Sequence, residues 1–258
     1  MGLLCRSGDA GMMPTSLSLN EIDLVLTVPL GRIRLACDDE RMRLMLVRHG
    51  QTPANVERSL DTFLPGPGLT DLGARQAEAL VEALAGQDVQ AVFASEATRA
   101  QLTAQPLAAA RGLPVQVLPG VFEVQAGALE RRTDETSITA YITTLQLWRD
   151  GDLDASTPGG EDGHQMLERV DAAVGSVCDR GLESAVLVSH GALIRTWSGL
   201  RCTGTGDLAA EPLDNTGIVT LEGDQSSGWR LVSWQKTPAG GLVDDLPDTA
   251  EADPTGAG

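Results

Sequence analysis

Leu44-Met45-Leu46-Val47-Arg48-His49-Gly50-Gln51-Thr52-Pro53-Ala54-Asn55 is the stretch that decides how this chain is read. Four apolar residues make a buried strand, which stops at a cationic pair followed by glycine. In an open α/β sheet, ligands bind at the carboxyl ends of the strands. Gly50 permits a tight turn, and Gln51, Thr52 and Asn55 add hydrogen-bonding groups. The construction recurs at Ala185-Val186-Leu187-Val188-Ser189-His190-Gly191, so two of the chain's three histidines follow apolar runs and precede glycines. A single His-Gly of this kind reads equally well as a turn or a packed imidazole. Two in a histidine-poor chain predict two rings facing one pocket. Arg48 adds a guanidinium that can grip two oxygens of a phosphate or carboxylate.

Around that stretch lie 258 residues, 42% of them apolar, enough for one sizeable core. The 36 acidic against 19 basic residues give a formal charge of -17, a surface that repels polyanions. Nucleic acid and anionic membrane are therefore poor partners, whereas a small anion in a locally basic pocket is not excluded. Cys5, Cys37, Cys178 and Cys202 lack CxxC spacing and read as reduced thiols of a cytoplasmic enzyme. The apolar run Leu24–Leu30 is too short to span a membrane and carries no secretory pattern.

Residues 1–41 read as an appendage, with a small edge hairpin through Leu24 to Leu35 as the alternative. After His49, residues 58–70 form a long loop rich in Pro and Gly. Thr70 caps a helix with Leu72, Leu80, Val81 and Leu84 on its apolar face. Val89–Ala94 is a second strand, and Ser95 is placed to cap a helix that Pro106 should bend or interrupt. Pro114–Leu118 is a third strand, and Val121–Arg132 lacks periodicity. Helices follow at Glu135–Arg149 and Glu161–Arg180, the second with Met166, Leu167, Val170, Ala173, Val174 and Val177 spaced for burial. The His190 strand, a helix over Ala192–Leu200 and strands at Gly217–Leu221 and Trp229–Trp234 complete the domain. Strands alternating with helices predict a three-layer α/β/α sandwich with a mostly parallel central sheet, over residues 42–236. Residues 237–258 read as a disordered acidic tail. No G-x-G-x-x-G or G-x-x-x-x-G-K-[ST] is present, so a dinucleotide or P-loop site does not fit.

Arg48-His49-Gly50-Gln51-Thr52-x-x-Asn55 resembles the signature of the histidine phosphatase superfamily, in its phosphoglycerate-mutase-like branch. Ser95-x-x-x-Arg99-x-x-x-Thr103-Ala104, Ser189-His190-Gly191 with Arg195, and Asn215 before Gly217-Ile218-Val219 resemble later segments of that family, in the same order. The resemblance implies that His49 is a nucleophile and becomes a transient phosphohistidine. It further implies that Arg48 and Arg99 bind the phosphoryl oxygens while His190 donates another hydrogen bond. Glu123, four residues before Gly127, resembles the family's proton donor, and Glu130 is its rival. Asn55 either holds the first loop or touches phosphate, and Arg58 either extends the anion site or orients the loop. Where the family commonly has Gly after this arginine, Ser59-Leu60-Asp61-Thr62 stands here, and Arg131 and Arg132 replace a Gly after the acid. The pocket mouth is therefore expected to differ. His164, at a Gly-rich acidic helix start, reads as exposed. Two histidines and a glutamate could alternatively hold zinc, but Arg48 beside them disfavours a dication. The implied activity is hydrolysis of small phosphomonoesters with no metal and no cofactor. Family mutases tend to carry a longer insertion between the acid and the second histidine. A mutase with the same first half-reaction and a non-enzymatic phosphate-binding module are the alternatives.

Overall fold

The strand read at Leu44 runs Met42–Arg48 (β1) in the computed structural model, which describes residues 41–242. The amino-terminal extension, its alternative hairpin, Cys5 and Cys37 lie outside the described residues. In order follow α1 (Pro53–Val56), α2 (Asp71–Ala83), β2 (Ala91–Ala94), α3 (Thr98–Ala110) and β3 (Val115–Val117). Then come α4 (Glu135–Arg149), α5 (Gly163–Cys178), β4 (Ser184–Ser189), α6 (Gly191–Arg201), β5 (Cys202–Thr203), β6 (Ile218–Asp224) and β7 (Gly228–Gln235). The sheet has the order β3-β2-β4-β1-β6-β7-β5. Its β3-β2-β4-β1 half is parallel, and β6 and β7 add antiparallel strands. No described helix is long and apolar enough to cross a membrane.

Successive strand residues point to opposite faces, so a strand covered on both sides must be apolar throughout. Met42, Leu44, Leu46, Phe93 and Leu187 pack on one face with Tyr141, Leu145 and Trp148 of α4, the apolar side of α5, and α6. Met45, Val47, Val92, Ala94, Val186 and Val188 pack on the other with Leu80 of α2 and the alanine-rich side of α3. These are the three layers that the sequence predicts. Every residue of the α5 stripe, Met166 to Val177, is buried as its spacing requires.

Several local readings are corrected. Pro106 lies inside α3 without ending it, because Ala100, Thr103, Ala104, Leu107 and Ala108 bury the opposite side of that helix and hold it to the sheet. Ser95 is not the cap; Ala97 precedes the helix, and the Ser95 hydroxyl is used elsewhere. The two-residue strand β5 and the short α1 were not legible in the pattern. Residues 237–242 belong to the packed domain rather than to a tail: Ala239 is fully buried, and Gln76 Nε2 donates to Leu242 O (3.0 Å).

Gly50 works by allowing close approach rather than by a left-handed turn. A Cβ there would lie 2.6 Å from Gly73 O, and a Cβ on Gly73 would strike the backbone of Gln51. Gln76 seals the junction by accepting Gln51 N–H (2.9 Å). Within a helix, Gly→Ala ordinarily gains about 1 kcal/mol. Here the backbone clash exceeds that gain, so Gly73→Ala should destabilise the protein by roughly 1–3 kcal/mol. Urea unfolding checks this, and a raised midpoint would contradict the packing described.

Candidate active site

The site is assembled at the carboxyl ends of three neighbouring parallel strands. In the β1–β4 register Arg48 is opposite Ser189, so His49 and His190 leave adjacent strands at the same level. His49 N–H donates to Ser189 O (3.0 Å), and the two rings stand edge to face with centroids 5.2 Å apart. Beyond them β2 ends at Ser95, whose hydroxyl lies 2.8 Å from His190 Nε2. Both imidazoles are buried, at 2% and 0% exposure.

His49 Nδ1 is 2.8 Å from Gly50 O. A carbonyl only accepts, so Nδ1 carries the proton and Nε2 keeps its lone pair. Burial, then Arg99 and Arg48, hold the His49 pKa well below the usual histidine range. Burial, Arg99 and His49 depress His190 likewise. Both rings are therefore neutral near neutral pH, and His49 Nε2 keeps a lone pair that can attack an electrophile.

Arg48 is buried and donates from Nη1 to Leu213 O (2.7 Å). Arg99, buried on α3, donates from Nη2 to Asp61 O (3.1 Å), with its Nη1 3.6 Å from Asp61 Oδ2. Thr103, one turn on, accepts from Gly50 N–H (2.9 Å) and donates to Arg99 O (2.7 Å), tying the His49 loop to the Arg99 helix. Asn55 braces the loop: its Oδ1 accepts from Thr52 N–H (2.9 Å) and from Asn215 Nδ2 (3.2 Å). Asn215 Nδ2 also donates to His49 O (3.0 Å). Arg58 follows α1 half-buried, with a left-handed backbone at φ 55°.

The two candidate acids differ sharply. Glu123 is fully buried and accepts from Val124 N–H and Leu193 N–H (2.8 Å each) at Oε1 and from Ala192 N–H (3.2 Å) at Oε2. It thus sits on the amino-terminal turn of α6, whose preceding residue is His190. Burial raises its pKa, opposed by those three amides and by Arg99. Glu130 is half-exposed and accepts from Thr62 N–H (3.1 Å) and the Thr62 hydroxyl, bracing one loop against another. Its pKa is also raised by burial, opposed by Thr62. Arg99 interacts electrostatically with both acids. Among the described residues, no three His, Cys, Asp or Glu side chains are grouped to hold a metal ion. His164 is exposed, as read, and pairs with Asp154 at 3.4 Å.

Sequence reasoning missed Arg169 and Glu161, which grip the backbone on either side of Glu123. A signal was present: Arg169 falls between the buried Met166 and Val170 of α5, where an arginine must find partners.

The two depressed histidines set a pH dependence of stability. Below about pH 6.5 the unfolded chain binds protons that the native pocket refuses, so the native state loses stability as pH falls. The melting temperature should fall between about pH 7 and 5. His49→Gln/His190→Gln should show a shallower fall, and parallel curves for the two proteins would contradict the assignment.

Known proteins resemble this chain over most of the described domain. The family model "Histidine phosphatase superfamily (branch 1)" matches residues 44–237. The chain is 35% identical to the Mycobacterium tuberculosis PE-PGRS family protein PE_PGRS11 over 75% of its own length, but it spans only 36% of that protein. It is 30% identical to a probable phosphoglycerate mutase, GpmB of Yersinia pestis, covering 82% of this chain and 95% of that one. A solved mycobacterial glucosyl-3-phosphoglycerate phosphatase superposes with a TM-score of 0.63 at 27% identity, over 76% of this chain and 100% of that one. With the paired strand-end histidines and a family match across almost the whole described domain, the chain belongs to the histidine phosphatase superfamily, branch 1.

Proposed function

We propose that this protein is a phosphomonoesterase that hydrolyses small phosphorylated metabolites through a phosphohistidine at His49. The observation that carries the reading is the His49 ring itself, buried and neutral, with Nδ1–H held by Gly50 O so that the lone pair lies on Nε2. In the first step Nε2 attacks phosphorus; the N–P bond forms as the bond to the leaving oxygen breaks. Arg48, Arg99 and the His190 ring hold the equatorial oxygens, where charge accumulates. Asn55 holds the loop that carries the nucleophile, and Arg58 extends the anion site.

Glu123 supplies the proton to the leaving oxygen. Its burial-raised pKa favours the protonated acid, and Oε2, with one donor against two at Oε1, has room to carry the proton. Water then attacks phosphorus, Glu123 takes a proton back, and the N–P bond breaks to release inorganic phosphate. No metal ion enters either step.

The similarity to a probable mutase supports a second reading, in which a second substrate hydroxyl replaces water as acceptor. Product analysis with 3-phosphoglycerate and a panel of small phosphomonoesters separates the two. Phosphate release without isomerisation is expected; bisphosphate-dependent interconversion with little free phosphate would establish the mutase. Binding without turnover by any substrate would reduce the site to a phosphate-binding module.

Glu123→Gln should slow hydrolysis of alkyl phosphates by about 10²–10⁴-fold, the usual scale of general acid catalysis. An activated aryl phosphate, whose leaving group needs little protonation, should be affected far less. If Glu130→Gln gave that pattern and Glu123→Gln did not, the acid would be Glu130.

A further inference from the structure

Arg169 on α5 divides its guanidinium between the segment that carries Glu123 and the carboxylate of Glu161. Nη1 donates to Gly120 O and Phe122 O (2.8 Å each), and Nη2 donates to Glu123 O at 3.4 Å. The other edge of the fork meets Glu161: Nε to Oε2 at 2.7 Å and Nη2 to Oε1 at 2.6 Å. Glu161 Oε1 in turn accepts Gln125 N–H (3.2 Å), and the guanidinium carbon lies 3.9 Å from the centre of the Phe122 ring. The ion pair is nearly enclosed, at 14% and 6% side-chain exposure.

Residues 120–125 have no regular secondary structure, so neither ladder nor helix satisfies their backbone groups. The Arg169–Glu161 pair does so in their place, binding four of the six residues through their main chain. Tyr141 adds a bond from its hydroxyl to Val124 O (2.9 Å). Arginine suits this task because its donors lie in one rigid plane; a lysine has the charge without the fork.

We infer that Arg169, paired with Glu161, is a positioning residue that sets the aim of the Glu123 carboxyl at the leaving oxygen. The inference rests on Glu123 being the acid of the proposed phosphatase. Two anchors define that carboxyl: the amino-terminal amides of α6 hold its oxygens, and the Arg169–Glu161 clamp holds its backbone. Removing the clamp leaves the His49–Arg48–Arg99 site intact but releases the acid from its line of transfer. The loss therefore concentrates on substrates that need a proton. Misplacement of a catalytic group by about 1 Å costs on the order of 10²-fold.

The test uses the full chain, with Arg169→Lys and the milder Glu161→Gln, each first checked for a cooperative melt. Rates are compared for an alkyl phosphate and for 2,4-dinitrophenyl phosphate. The expected result is a loss of about 10–100-fold on the alkyl ester and less than about threefold on the aryl ester. Adding Glu123→Gln to either variant should then cost little more on the alkyl ester, because the acid is already misaligned. Equal losses on both esters, unchanged leaving-group dependence, or full additivity with Glu123→Gln would overturn the inference. Should Arg169→Lys fail to fold, the Glu161→Gln comparison decides alone. Wild-type protein inactive on every ester would instead defeat the phosphatase reading, a separate outcome.

Discussion

The parallel register between β1 and β4 is the constraint on which the rest of the site depends. Because Arg48 pairs with Ser189, the next residue on each strand is a histidine, and both rings emerge at one level. A shift of one residue would turn His190 to the opposite face of the sheet and separate it from His49. The register is itself fixed by burial. Leu44 and Leu46 belong to one core and Met45 and Val47 to the other, so sliding the strand would leave the pattern intact only in steps of two. Packing chemistry on both faces thus sets the geometry at the end of the strand.

Placing charge at the end of a fully buried strand is costly, and the surrounding structure offsets the cost locally. Arg48 has the carbonyl of Leu213, and Arg99 has Asp61 through its backbone oxygen and carboxylate. Glu123 has both carboxyl oxygens held by amides of the first turn of α6, while its burial raises its pKa. The histidines answer the same pressure by remaining neutral. Burial, and then the neighbouring guanidinium groups, keep the His49 ring in the neutral form that the proposed attack requires.

Much of this was legible in the sequence because it follows from short-range pattern. Apolar runs ending in His-Gly marked β1 and β4, and the stripe from Met166 to Val177 marked α5. The paired rings came from the recurrence of His-Gly at two strand ends, and they stand 5.2 Å apart. Arg99 and Glu123 came from the family resemblance, because alone each reads as a surface charge, yet both are buried. What could not be read depends on contacts distant in sequence. Gly50 owes its place to Gly73 across a loop, and α3 tolerates Pro106 because of packing on its far side. Asp61 faces Arg99 only once the loop of residues 59–70 has folded back, and Arg169 finds Gly120 and Phe122 from another element. The turn at Ala239–Gly241 was hidden for a different reason. Its burial relies on one small residue and on Gln76, neither of which makes an apolar periodicity.

The central claim is that His49 attacks through Nε2 while Nδ1–H stays bound to Gly50 O. The direct measurement is the position of the phosphoryl group on enzyme quenched in alkali during turnover of a ³²P-labelled ester. Digestion and peptide sequencing locate the residue, and comparison with the two phosphohistidine isomers identifies the nitrogen. The account predicts label on His49 at Nε2 and none in His49→Ala. Label at Nδ1, on His190, or on any serine or acidic side chain would contradict it.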